Sequence, residues 1–140
     1  MATLRDLVGT WRLVSAVMED VETKKQTWSW GEHPNGWLIV TDAARWIVVQ
    51  TAEGRDGAND DAARAAAFRT MLAYSGMCRV DGDKIVVDVD VSWDESWVGT
   101  QQVRLFRIES DRLYIEAAPR PNANFGGRLT RAILVWRRQG

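Results

Sequence analysis

The segment KIVVDVDVSW, residues 84–93, sets two carboxylates, Asp88 and Asp90, two positions apart, and the run after it adds an amide at Gln102 and a guanidinium at Arg104. In an extended chain, residues two apart share a face and stand about 7 Å from each other. Asp88 and Asp90 therefore go with Val86 and Ser92, and Val87, Val89 and Val91 take the other side. By the same rule Thr100, Gln102, Arg104 and Phe106 share a face. If these two polar rows meet inside a barrel, Arg104 pairs with Asp88 or Asp90 and orients an anionic or carbonyl-bearing ligand. One aspartate, its pKa raised by its neighbour, then handles a proton as general acid or base. That is acid–base chemistry without a metal. The same alternation also describes a half-buried strand with its valines inside and its carboxylates in water. Register decides between the two, because a slip of one residue exchanges the faces.

Eight tryptophans in 140 residues are the second signal. Trp28, Trp30 and Trp37 cluster in TWSWGEHPNGW, and Trp93 and Trp97 in SWDESW, both at turn-forming sequence. Aromatic residues there would line the open end of a barrel and stack on a flat ligand, or else cover a helix or form a homodimer contact. We take Trp37, Trp93, Trp97, Gln102 and Arg104 as candidate ligand-binding residues. His33, in the same loop cluster, joins them as the one side chain whose ordinary pKa lies near neutrality. Trp46 alternates with Val48 and Gln50 and has no assigned face.

Composition narrows the function classes. A net charge of −1 with 26% charged residues provides no basic stripe for nucleic acid. No run of about 20 apolar residues is present to span a bilayer. One histidine and one cysteine without paired spacing give no expectation of a metal, and no glycine-rich strand-to-helix turn suggests a nucleotide cofactor. The single cysteine, Cys78, forms no internal disulfide, and MATLRDLVG lacks a signal-peptide core, so a cytoplasmic protein is expected.

The elements that must position these residues are mostly strands, rich in β-branched and aromatic residues and separated by Gly, Asp and Asn turns. GTWRLVSAVME (residues 9–19) puts Trp11, Leu13, Ser15 and Val17 on one face. GWLIVTD and RWIVVQT form a hairpin through Ala43 and Ala44. Residues 60–74, Ala-rich, make the one helix, with Asn59 as its cap and Phe68, Met71 and Leu72 facing the strands. Further hairpins turn at Asp81-Gly82-Asp83 and Ser110-Asp111, Ala117 to Gly127 forms a rim loop, and RLTRAILVWRR is the last strand. The expectation is an all-β, mainly antiparallel, eight-stranded up-and-down barrel over residues 1–140, with one helix between its third and fourth strands. Eight strands suffice to close such a sheet and hold one small ligand.

Three segments, LVGTWRLVS (7–15), AYSGMCRVDGD (73–83) and SWVGTQQVRLF (96–106), give the chain a resemblance to the small bacterial lipocalin-like domain family of calycin-type barrels. The resemblance implies that Gly9 opens the first strand and Trp11 plugs one barrel end. It also implies a basic residue of the last strand across the Trp11 ring; Arg137 or Arg138 is placed for this, and we assign Arg137. Relatives place a histidine on the fifth strand where this chain has Asp88. The implied function is binding of a small hydrophobic or aromatic molecule in the lumen, the alternative being an isomerase or cyclase that uses Asp88 or Asp90.

Overall fold

The structure, a computed structural model, describes the backbone from Met1 to Gly140 and every side chain but that of Asn124. Strands stop where the chain reaches residues that take positive φ, at Ala44 (67°), Gly82 (64°) and Ser110 (55°), the tight turns of three successive hairpins. A one-turn helix, α1 (Leu4–Leu7), precedes β1 (Gly9–Asp20), β2 (Gln26–Thr27), β3 (Asn35–Val40) and β4 (Arg45–Thr51). The helix α2 (Asp61–Arg69) follows, then β5 (Met71–Asp81), β6 (Lys84–Ser92), β7 (Gln101–Glu109), β8 (Arg112–Glu116), β9 (Arg120–Asn122) and β10 (Arg128–Gln139).

Neighbouring strands run antiparallel in the order β2-β1-β3-β4-β5-β6-β7-β8-β10-β9, and β1 pairs with β10 to close the sheet. The two-residue β2 and three-residue β9 only extend β1 and β10 beyond one rim, which leaves a closed barrel of eight strands. Inward positions carry Leu13, Leu38, Val40, Trp46, Val48, Tyr74, Ile85, Val87, Val89, Phe106, Leu113, Ile115 and Trp136, all buried in one cluster. Each large side chain fully removed from water contributes about 1.5–3 kcal/mol before entropic costs.

Two bulges break strict alternation. In β1 the pairing with β10 shifts between Leu13 and Ser15, so Val14 is the extra residue and Ala16, not Ser15, follows Leu13 into the core. In β6 the register shifts opposite Ser75 and Gly76, leaving Asp90 as the extra residue. Val91 then points outward, 66% exposed, and Ser92 turns inward opposite Tyr74. The cause lies in β5: a Cβ on Gly76 would stand 2.0 Å from the Asp88 carbonyl oxygen, so only glycine permits this approach of the two backbones.

The helix is shorter than the alanine run suggests. Asp60, not Asn59, caps it by accepting a hydrogen bond from the Ala63 N–H at 2.8 Å, and Thr70 ends it by donating to Ala66. Met71 to Tyr74 pair instead with β4, where a ladder of backbone hydrogen bonds outweighs helical propensity. No side chain of α2 is buried; Phe68 sits against Trp93 with ring centroids 6.0 Å apart. The Ala117–Gly127 stretch is likewise more than a rim loop, since β9 within it pairs with β10.

Candidate functional site

The two barrel ends differ in chemistry. At the first, Trp11 is wholly buried and its indole N–H donates to the Leu7 carbonyl at 2.9 Å, which ties the plug to α1. Arg138 covers the ring, its guanidinium carbon 4.1 Å from the centroid, and donates to the carbonyls of Val8 and Asp6. Gly9 has φ of 141°, and a Cβ there would lie 2.8 Å from Arg138 Nη1. The glycine of the Gly-x-Trp step therefore serves both backbone and arginine. Arg137, the residue assigned from the resemblance, is exposed and faces outward. Strand parity explains the correction: Trp11 pairs with Arg138 and Leu13 with Trp136, so Arg138 shares the inward face.

Toward the opposite end, the inward side chains leave a cavity of about 120 Å³. It is lined by Arg104, Gln50, Tyr74, Trp30, Trp46 and Trp136, and aliphatic residues complete the wall. Arg104 donates to Gln102 Oε1 at 3.1 Å and to the Val103 carbonyl at 2.9 Å. No carboxylate lines the cavity or pairs with Arg104 among the described residues. Burial pulls the Arg104 pKa below its ordinary value, opposed by Tyr74 and reinforced by the positive charge of Arg120. Burial likewise pushes the Tyr74 hydroxyl up, with Arg104 acting against it. The Trp46 indole also bears on the Tyr74 hydroxyl by hydrogen bonding, and the buried Nε1 of Trp136 has no hydrogen-bond partner among the described residues. A site of this kind donates hydrogen bonds and stabilises negative charge; its lining contains no histidine or carboxylate to take up a proton.

Of the candidates read from the sequence, Gln102 and Arg104 come together inside the barrel. Asp88 and Asp90 do not join them. Asp90 lies on the outer face, bound by Arg45 and by the Ser75 hydroxyl at 2.7 Å, and Asp88 accepts from Gln101 Nε2 at 2.8 Å. The hydrophobic demand of the lumen selects Val87 and Val89, so the carboxylates take water and the expected Arg104–aspartate pair does not form. Trp37 also points outward, where Arg12 packs 4.8 Å from its ring centroid; with Ile39, Ile47 and Val49 it forms an exposed apolar band. His33 is exposed, tied to the fold through its backbone N–H and Glu53. Trp93 and Trp97 form an edge-to-face pair with centroids 4.9 Å apart, and Trp97 lies 5.4 Å from Tyr74. Trp97 packs against the core cluster that contains Tyr74, and neither tryptophan is part of the cavity's lining.

Trp30, from the tryptophan cluster expected at the open barrel end, lines the cavity; Trp46, Gln50, Tyr74 and Trp136 line it as well and were not expected there from sequence. Two signals were available: Trp46, Val48 and Gln50 lie on one strand face, and Trp136 has the parity of Arg138. Among the described residues, no cluster of three or more His, Cys, Asp or Glu side chains could hold a metal, and no helix is long and apolar enough to cross a membrane.

A closed eight-stranded antiparallel barrel, plugged by tryptophan at one end and hollow toward the other, is the architecture of the calycin-type barrels, which hold small hydrophobic molecules. Over residues 8–139 the chain matches the model of the lipocalin-like domain, and it belongs to that family. No curated protein matches it.

Proposed function

We propose that the barrel binds a small hydrophobic or aromatic molecule in the cavity between Trp136 and the open rim, and that Arg104, with Gln102 behind it, fixes the ligand's orientation through a polar acceptor group. The observation that carries this reading is Arg104 itself: it lines an otherwise largely apolar cavity, and among the described residues its guanidinium has only an amide oxygen and a backbone carbonyl as partners. Holding a cation in such surroundings without a counter-ion costs stability, and a ligand that accepts its hydrogen bonds offsets that cost. Aromatic and aliphatic walls provide affinity; the arginine provides direction.

The test is ligand-induced stabilisation across a panel of small aromatic and aliphatic molecules, compared between the wild type and Ala132→Leu. Ala132 lines the cavity, so the larger side chain fills space there. A ligand present at 100 times its dissociation constant stabilises the folded state by about 2.7 kcal/mol. That gain is expected in the wild type and should vanish in a folded Ala132→Leu protein. Equal gain in both proteins would place binding elsewhere.

A further inference from the structure

Three features of the cavity bear on the chemical class of its occupant. The first is charge. Arg104 is the one charged group in the lining, and Arg120, near enough to depress its pKa further, adds to the positive field. The second is donor count. Arg104 spends only part of its five-donor fork on Gln102 and Val103. The third is size. A cavity of about 120 Å³ is somewhat smaller than the roughly 150 Å³ engineered void that takes benzene, so it holds no more than one ring.

Resting on the binding reading above, we infer that the occupant is a carboxylate anion on a single aromatic ring, its oxygens facing the free donors of Arg104 and its ring between the tryptophan and tyrosine side chains. A neutral carbonyl has two lone pairs and no charge; a carboxylate has about four acceptor sites and neutralises the guanidinium. A phosphate or sulfate ester brings a larger, more strongly hydrated group than one cation in an apolar wall can desolvate. An aliphatic acid of similar size would satisfy Arg104 but forgo edge and face contacts with Trp30, Trp46, Tyr74 and Trp136.

The experiment is calorimetric titration of the full-length protein with benzoate, benzamide, benzyl alcohol and toluene, repeated on Arg104→Met, Arg104→Lys and Ala132→Leu. Benzoate is expected to bind at least about tenfold tighter than benzamide. Arg104→Met should lose that preference while still taking toluene. Arg104→Lys, which keeps the charge and loses the fork, should retain a reduced preference and serves if the methionine variant does not fold. Ala132→Leu should bind none of the four. Benzamide or toluene binding as tightly as benzoate would overturn the anion assignment and leave the apolar-cavity reading standing. Failure of all four to bind the wild type would overturn both. A benzoate preference that survives both Arg104 variants unchanged would show that another group reads the carboxylate.

Discussion

The guanidinium of Arg138 lies over the ring of Trp11 at 4.1 Å and ties the last strand of the barrel to the first, across the seam that closes the sheet. Its two backbone acceptors, Val8 and Asp6, belong to the segment that folds over that end, so one side chain fastens plug, seam and lid together. Trp11 is bound from below by Leu7 of the same segment. This end is a structural closure, and the cavity lies toward the other.

Substitution of the two neighbouring arginines should therefore give unequal results. Arg138→Met removes a cation–π contact of about 0.5–2 kcal/mol and two charge-assisted hydrogen bonds, for an expected loss of about 2–4 kcal/mol. Arg137→Met changes an exposed outward residue and should stay within about 0.5 kcal/mol of wild type. Chemical denaturation of both variants checks this; equal losses would mean that Arg138 does not hold the plug.

Gly76→Ala tests the bulge. Its Cβ would meet the Asp88 carbonyl oxygen at 2.0 Å, and backbone on both sides must move. The expected cost exceeds about 3 kcal/mol, well above the roughly 0.5–1 kcal/mol that an ordinary turn glycine such as Gly82 should lose. A mild Gly76→Ala variant would show that β5 and β6 can slide into regular register, which would also redirect Val91 and Ser92.

Asp20 governs an acid-sensitive contact. Its carboxylate accepts from Arg128 and from the backbone N–H groups of Glu22 and Thr23 at 3.0 Å each, which holds its folded pKa far below the ordinary 3.8. The unfolded chain therefore takes up the proton first. The stabilisation is complete above about pH 4 and is lost as pH falls below the ordinary value toward the folded one. Asp6 and Asp90, also depressed, act in the same window. Denaturant midpoints measured from pH 6 to pH 2 should fall less steeply for Asp20→Asn than for the wild type. Parallel curves would refute the linkage.

The barrel was legible because its signals are local. Alternation, turn residues and the Gly-x-Trp step each act over a few positions, and they yield the eight strands, their hairpins and the helix between the third and fourth. The site was legible only where a strand stays regular. On β7, parity alone put Gln102 and Arg104 together, and the structure keeps them together inside the barrel. On β6 the inside and outside faces are both chemically plausible from sequence, and what separates them is the preference of the whole lumen for Val87 and Val89 over two charges. The bulge at Asp90 depends on Gly76 in another strand, a pairing that no single segment reveals, although an isolated glycine in a strand was its visible trace. Trp37 and Trp46 show the same limit: both are tryptophans on adjacent paired strands, and opposite parity sends one to solvent and the other to the cavity.

If Arg104 is kept for a ligand and not for the fold, its removal should stabilise the empty protein. In the absence of a counter-ion the half-buried guanidinium carries a desolvation cost that its bonds to Gln102 and Val103 repay only in part. Methionine fills similar volume without a charge. Arg104→Met is therefore expected to gain about 1–3 kcal/mol, an increase in Tm of about 3–10 °C for a chain of this size. Trade-offs of this sign mark residues retained for binding. Differential scanning calorimetry of the ligand-free proteins decides the matter. A loss exceeding about 1 kcal/mol would mean that the arginine is satisfied where it stands, bridging β7 to its own backbone and Gln102 as part of the core, and the cavity would then lack the unmet charge on which its proposed ligand class depends.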